Sequence, residues 1–224
     1  MTKTVVENIE KLRDAKGLTQ QHIADILGIT RVTYNKVENG TRELTTGELE
    51  CLSIYFNIPI AELFDQPRNI EKFQQVYFYI LSYFNNGVPK TKLAKLLYLV
   101  DFTHFYETLE SMSGVRYKCR TYGPVADIFF ELTDDLHEKG KIDIETKDDA
   151  FIIRSTSKHE THLLSDDDKY LIDKIVAYWK DKRTKEIVNF THEQKPWKSC
   201  REGEYIPYSL IIQEDPDHVF APFI

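Results

Sequence analysis

Apolar positions in the first third of the chain recur with a helical period, and the residues between them punctuate rather than fill. Val5, Val6, Ile9 and Leu12 stand at i, i+1, i+4 and i+7, the stripe of an amphipathic helix. In "TQQHIADILGITRVTYNKVENG", Thr19 to Gly40, Thr19 caps a helix whose Ile23 and Leu27 share a face, with the small Ala24 beside them. Gly28 then permits a left-handed turn, Ile29 is an apolar plug, and Thr30 caps a second short helix whose inward stripe is Tyr34 and Val37. Asn39-Gly40 ends it. Thr45 with Glu48 forms a capping box for a helix with Leu49, Leu52, Ser53 and Phe56 on one face, and Pro59 is placed to open a fifth helix.

Beyond Phe64 the pattern breaks at "DQPRN", Asp65 to Asn69, which reads as a short linker. A new helix carries Phe73, Val76, Tyr77, Ile80, Leu81 and Phe84 and is expected to run to Asn86-Gly87. Pro89 opens another, in which Leu93, Leu96, Leu97, Leu99, Val100, Phe102 and Phe105 nearly encircle the axis, so it is buried on most sides. Gly123-Pro124 is expected to turn into a helix with Val125, Ile128, Phe129, Leu132 and Leu136. "KIDIET" and "AFIIRST" alternate around "KDDA", the pattern of a small hairpin. Ser165 caps a helix with Leu171, Ile172, Ile175, Val176 and Trp179 in register, and Thr184 is expected to cap a further one containing Ile187 and Val188. The reading is mainly α: residues 1–66 as one domain, and residues 67–224 as a helical domain with a minor β-hairpin.

Composition narrows the class. The 224 residues, 42% hydrophobic and 12% aromatic, supply ample core. Cys51, Cys119 and Cys200 are far apart, with no CxxC spacing, so neither a zinc ribbon nor a secreted disulfide framework is indicated. No apolar run approaches the roughly 20 residues that span a bilayer, and no leader-like segment opens the chain, which points to a soluble cytoplasmic protein without a membrane partner.

The angled pair of helices follows helix-turn-helix grammar, in which the second helix enters the major groove. Opposite Tyr34 and Val37 lie Val32 and Lys36, flanked by Thr33, with Arg31 at the exposed N-terminal end. Arg31 and Lys36 can donate to guanine, Thr33 to several base edges, and Val32 can meet a thymine methyl. Gln20 and Asn39 sit at helix ends suited to phosphate contact. The formal net charge of -7 does not exclude DNA, because the local field counts: Arg31, Lys36 and Arg42 cluster on and after the second helix. It does imply weak non-specific affinity for a monomer, so a homodimer on a palindromic duplex operator is expected.

Thr19, Gln20, Ile23, Ala24, Leu27, Gly28, Ile29, Val37, Glu38, Asn39 and Gly40 together resemble the Xre/Cro-type, lambda-repressor-like family, over about Val5 to Phe64. The resemblance implies five helices, phosphate contacts from Gln20 and Asn39, and a structural Arg13–Glu38 pair. In the second half, "KLAKLLYLVDFTHF" at Lys92 to Phe105, "RYKCRTYGPV" at Arg116 to Val125 and "THEQKPW" at Thr191 to Trp197 resemble the Panacea antitoxin domain, the SocA-like and GepA-related family of mobile elements, over about Ile70 to Ile212. That resemblance implies an antitoxin that neutralises a toxin protein encoded beside it.

Other clusters read as structural. "HEQK" at His192 to Lys195 lacks the second histidine of H-E-x-x-H, and Pro196 would break the helix such a site needs. Asp166, Asp167 and Asp168 follow Ser165 at a helix start, where negative charge suits capping better than a cation site. His104, His192 and Trp197 have no nucleophile at a recognisable spacing. No metal, cofactor or catalysis is expected. Asp101, in an otherwise apolar helix, needs partners, with Arg116, Tyr117, Arg120 and Tyr122 the candidates. Asp101 and the Tyr122, Gly123, Pro124 turn are the expected positions shaping a toxin-facing surface. The expected function is an antitoxin that binds its cognate toxin through the C-terminal domain and represses its own promoter. The rivals are a stand-alone phage-type repressor whose second domain senses a ligand or dimerises, and an enzyme built on Asp101, His104 and His192.

Overall fold

The computed structural model describes residues 3–57, 60, 63 and 68–221. The chain divides into two compact units, Met1–Pro67 and Arg68–Ile224. Both are mainly helical.

The first unit opens with α1 (Lys3–Ala15), α2 (Gln20–Leu27), α3 (Arg31–Glu38) and α4 (Thr46–Phe56). Its helices start where their caps stand. Thr19 accepts from His22 N, Thr30 from Thr33 N, and Thr45 closes a capping box with Glu48. Val5, Ile9, Ile23, Tyr34, Val37, Leu52 and Phe56 form one apolar core, joined by Leu63, whose carbonyl accepts from Asn8 Nδ2. The expected opening of a fifth helix at Pro59 and most of the expected linker, 65–67, lie outside the described residues.

In the second unit Asn69 caps α5 (Ile70–Leu81) by accepting from Lys72 N at 2.8 Å. This helix ends at Leu81, earlier than its stripe suggests; Phe84 still packs on the core from the turn beyond. α6 (Lys90–Thr108) is the axis of the unit, and every residue from Lys92 to Thr103 is buried. Around it lie α7 (Phe129–Glu138), α8 (Asp166–Trp179), α9 (Thr184–Glu193), the short α10 (Lys195–Lys198) and two 3₁₀ turns, Tyr208–Gln213 and Pro216–His218. Ser165 and Asp168 make the capping box of α8. The cap of α9 is Arg183 rather than Thr184: its N–H donates to Glu186 Oε2 at 2.7 Å, which makes Thr184 the first helical residue.

The β content exceeds one hairpin. β4 (Ile142–Lys147) and β5 (Ala150–Ser155) pair across a two-residue turn, Asp148-Asp149, with both φ positive, as a tight hairpin requires. β1 (Val88–Pro89) adds to β5, giving the order β1-β5-β4. A second sheet, β3-β2-β6, joins β2 (Tyr117–Lys118), β3 (Val125–Ala126) and β6 (Tyr205–Ile206). Two-residue strands carry no alternation to read. Val125 therefore belongs to a strand, not to the helix expected after Gly123-Pro124: Gly123, at φ 93°, turns the chain antiparallel to β2, and α7 begins only at Phe129.

Candidate functional site

Two separate surfaces carry the chemistry, one in each unit. In the first, α2 ends on Gly28 at φ 66°, and the Ile29 N–H returns to Ala24 O at 3.0 Å. The turn sets α3 with Tyr34 and Val37 fully buried. Arg31, Val32 and Lys36 consequently face solvent, Val32 at 69% exposure. Among the described residues neither Arg31 nor Lys36 has an ion-pair partner, so both charges are available to a ligand. Thr33 is half-buried, with Oγ1 2.8 Å from Thr30 Oγ1. Arg42 is different. Its guanidinium lies 2.8 Å from Glu48 Oε1, so the basic cluster expected from sequence reduces to Arg31 and Lys36.

Glu38 organises the motif from beneath. Arg13 Nε donates to Glu38 Oε1 at 2.9 Å and Gln20 Nε2 to Oε2 at 2.6 Å, while Arg13 Nη1 reaches Leu18 O at 3.1 Å. Burial and the nearby Glu38 charge raise the Tyr34 pKa well above its ordinary value, so the phenol stays neutral. Gln20 and Arg31 line one open concavity with Arg13, Thr19 and Gln21, a site with the donors that a phosphate takes. Asn39, exposed at the end of α3, donates to Asn35 Oδ1 at 2.7 Å.

In the second unit the residues singled out from sequence separate. Asp101 is 3% exposed, so any part it plays at a toxin-facing surface is through the groups it holds in place. Its Oδ1 accepts from Met112 N at 2.8 Å, and its Oδ2 from Ser113 Oγ at 2.6 Å; the Tyr117 hydroxyl lies 3.2 Å from Oδ2. Of the partners expected, Tyr117 is in hydrogen-bond reach, and the backbone of 112–113, the Ser113 hydroxyl and Tyr208 also bond to Asp101. Burial raises the Asp101 pKa above the usual range, opposed by the Ser113 and Met112 bonds. Ser113 O in turn accepts from Asn69 N at 2.8 Å, so this carboxylate pins the start of the unit.

Tyr122 is 73% exposed, whereas Gly123 and Pro124 are buried. A Cβ on Gly123 would stand 2.9 Å from Lys95 Cε and 3.0 Å from His192 Nε2. Pro124 O accepts from Lys95 Nζ at 2.7 Å. His192 stacks on Trp197, centroids 4.1 Å apart, and Trp197 Nε1 donates to Arg120 O at 3.2 Å. The helix stops at Glu193, so "HEQK" straddles two helices and presents no paired ligands. His104 Nδ1 lies 2.7 Å from Glu110 O, tied to its own helix end. Asp168 binds Ser165 N at 3.0 Å and Lys72 Nζ at 2.8 Å, a cap held by an ion pair. Among the described residues no group of three or more His, Cys, Asp or Glu side chains is placed to hold a metal ion.

Lys95 escaped the sequence reading. It is 1% exposed, and burial pushes its pKa down to about 7. The rule that drew attention to Asp101, a charged residue within an apolar helix, applies equally to it. Lys95 lies at a cleft of about 630 Å³ whose mouth carries Tyr122, Phe130 and Phe151.

Residues 9–63 match the helix-turn-helix family, and residues 93–198 match the family described as "Antitoxin SocA-like, Panacea domain". The chain thus joins an Xre-type helix-turn-helix region to a SocA-like Panacea domain. Both are regulatory families rather than enzyme families. A Bacillus subtilis (strain 168) protein, described as an uncharacterized HTH-type transcriptional regulator, YqaE, is 40% identical over 68 residues, 30% of this chain and 59% of that protein. The HTH-type transcriptional activator BcrR of Enterococcus faecalis is 29% identical over 82 residues, 33% of this chain and 40% of its own. The chain thus spans less than two thirds of either relative. No solved structure matches it significantly. No helix of the described residues is long and apolar enough to cross a membrane.

Proposed function

We propose that this chain is a cytoplasmic antitoxin and autorepressor: its second unit holds a cognate toxin by direct contact, and its first binds the promoter of its own operon as a homodimer on a palindromic duplex site. The observation that carries the reading is the pairing, in one chain, of an uncommitted cationic face on α3 with a domain of an antitoxin family. Arg31, Val32, Thr33 and Lys36 are the base-reading residues in this proposal, and Gln20 and Asn39 position the phosphates. Glu38 holds α2 against α3, so their mutual angle is fixed before DNA arrives, and little ordering cost attends binding.

The second unit works without chemistry of its own. It blocks the toxin by occupying its surface, and Tyr122, exposed beside the cleft, is on the contacting side. The test is co-expression of the full chain with the product of the adjacent small reading frame, together with gel-shift titration of the promoter fragment. Rescue from lethality and retarded promoter DNA are the expected results. Absence of a lethal neighbour whose effect the chain relieves would overturn the antitoxin reading, leaving that of a repressor.

A further inference from the structure

The cleft beside Lys95 combines an enclosed cation with exposed aromatic rings. Its floor holds a lysine 1% exposed, whose one hydrogen-bond acceptor is Pro124 O; among the described residues no carboxylate lies within ion-pair distance of it. A buried cation without a counter-charge is costly, and burial has driven this one's pKa down to about 7. Inside the fold the Pro124 carbonyl and Cys119 offset only part of that cost. At the margin Arg120 is exposed and likewise has no ion-pair partner among the described residues. Asp149 and Glu202 also line the cleft, and neither is paired with Lys95.

The walls are aromatic. Phe129 is buried at the base, while Tyr122, Phe130 and Phe151 stand 73%, 49% and 56% exposed around the mouth. Phe151 is carried there by the β4–β5 hairpin, and the Lys90 ammonium sits 5.2 Å from the Phe130 ring centre. Exposed rings clustered around a pocket that encloses a cation are the composition of an interface centre, where aromatic anchors carry most of the binding energy. A small molecule within the cleft would leave the outer rings in water; a polypeptide laid across it would cover them.

We propose that this cleft is where the second unit grips its protein partner, and that it takes a segment carrying a carboxylate next to a bulky apolar side chain, the carboxylate set against Lys95 and Arg120 and the apolar group among Tyr122, Phe130 and Phe151. The proposal rests on the antitoxin reading for the identity of that partner, while the chemistry of the cleft stands by itself. Lys95 acts as an electrostatic positioning group, since the partner's negative charge supplies what the fold withholds.

The test has two arms on the full chain. In the first, calorimetric titration compares the probe acetyl-Leu-Phe-Glu, with its free carboxylates, to uncharged acetyl-Leu-Phe-Gln-amide. The acidic probe is expected to bind more tightly, and Lys95→Met is expected to remove the preference while leaving the uncharged probe unaffected. In the second, the product of the adjacent reading frame is titrated against Lys95→Met, Phe151→Ser and Tyr122→Ser. Each is expected to weaken binding by about 30-fold, as loss of a central anchor does. Tyr170→Ser, at a 71% exposed position on α8, is the control expected to change nothing. Equal binding of the two probes, or none that saturates, overturns the cleft assignment. So does unaltered toxin binding by all three cleft variants, a result that would leave the antitoxin reading intact. Probe discrimination without capture of the neighbouring product would overturn that reading and leave the cleft.

Discussion

Arg31 and Lys36 on α3 and Lys95 on α6 are cations put to opposite uses by their surroundings. The first two stand in water on a helix whose other side is buried, so the fold bears no cost for them and any ligand can claim them. Lys95 is enclosed, hydrogen-bonded to one carbonyl, and held as a charge only against a desolvation penalty. An exposed cation acts through a screened field and a hydrated contact, whereas an enclosed one acts through a dry cavity. The two sites therefore answer differently to salt, to pH and to substitution.

The largest expected effect breaks the exposed site. Replacing both Arg31 and Lys36 by Ala is expected to reduce operator affinity by about 1–3 kcal/mol per residue, measured by gel shift, with thermal stability unchanged. Gln20→Ala is expected to weaken scrambled and operator DNA alike. Operator affinity equal to that of the parent would remove α3 from the reading of bases. Next, Asp101→Ala orphans the Met112 N–H and the Ser113 hydroxyl, each worth about 1–3 kcal/mol when left unsatisfied, and denaturant unfolding followed by tryptophan fluorescence should register several kcal/mol. Both Trp residues, 179 and 197, lie in the second unit, so the signal reports on it alone.

A smaller loss, about 1–3 kcal/mol, is expected of Gly123→Ala, because a Cβ there is strained at φ 93° and meets the Lys95 stem and His192 ring. The last prediction has the opposite sign. Since the folded Lys95 pKa lies below the unfolded value, the fold carries its penalty fully below pH 7 and sheds it as pH rises from about 7 toward the ordinary lysine range. Lys95→Met is expected to melt at a higher temperature than the parent near pH 6, with the difference shrinking above pH 7. His192, whose pKa is lowered by burial and by Lys95, and Cys119, whose pKa burial raises, also face this region; both are coupled to Lys95, so the difference between the two melting curves reports the lysine together with its effect on these neighbours. A variant less stable at every pH would show that the lysine supports the fold instead of taxing it. Salt sharpens the same contrast: operator binding should fall steeply with ionic strength, and binding at the cleft should fall little.

The first unit was legible because its signals are local. Thr19, Gly28, Thr30 and Thr45 each act within four residues of their positions, so the caps and the turn could be read directly, and the outward face of α3 followed from Tyr34 and Val37. The encircling stripe of α6 and the cap at Ser165 were readable for the same reason. What could not be read depends on remote contacts. The strand at Val125 exists because Lys118 lies alongside it, and the cleft joins the start of α6 to a hairpin some sixty residues later. Asp101 stands out as a charge in an apolar helix, but two of its donors are backbone N–H groups of a loop, which carry no sequence signature.

The doubly bound Glu38 carboxylate also bears on how such a helix-turn-helix region diversifies. Arg13 and Gln20 bind the two oxygens of one side chain, so a change at Glu38 costs both bonds, whereas a change at Arg13 or Gln20 costs one. Arg31, Val32 and Lys36 share none of those bonds. The outward face of α3 can therefore vary one residue at a time without touching the bonds that hold the motif together.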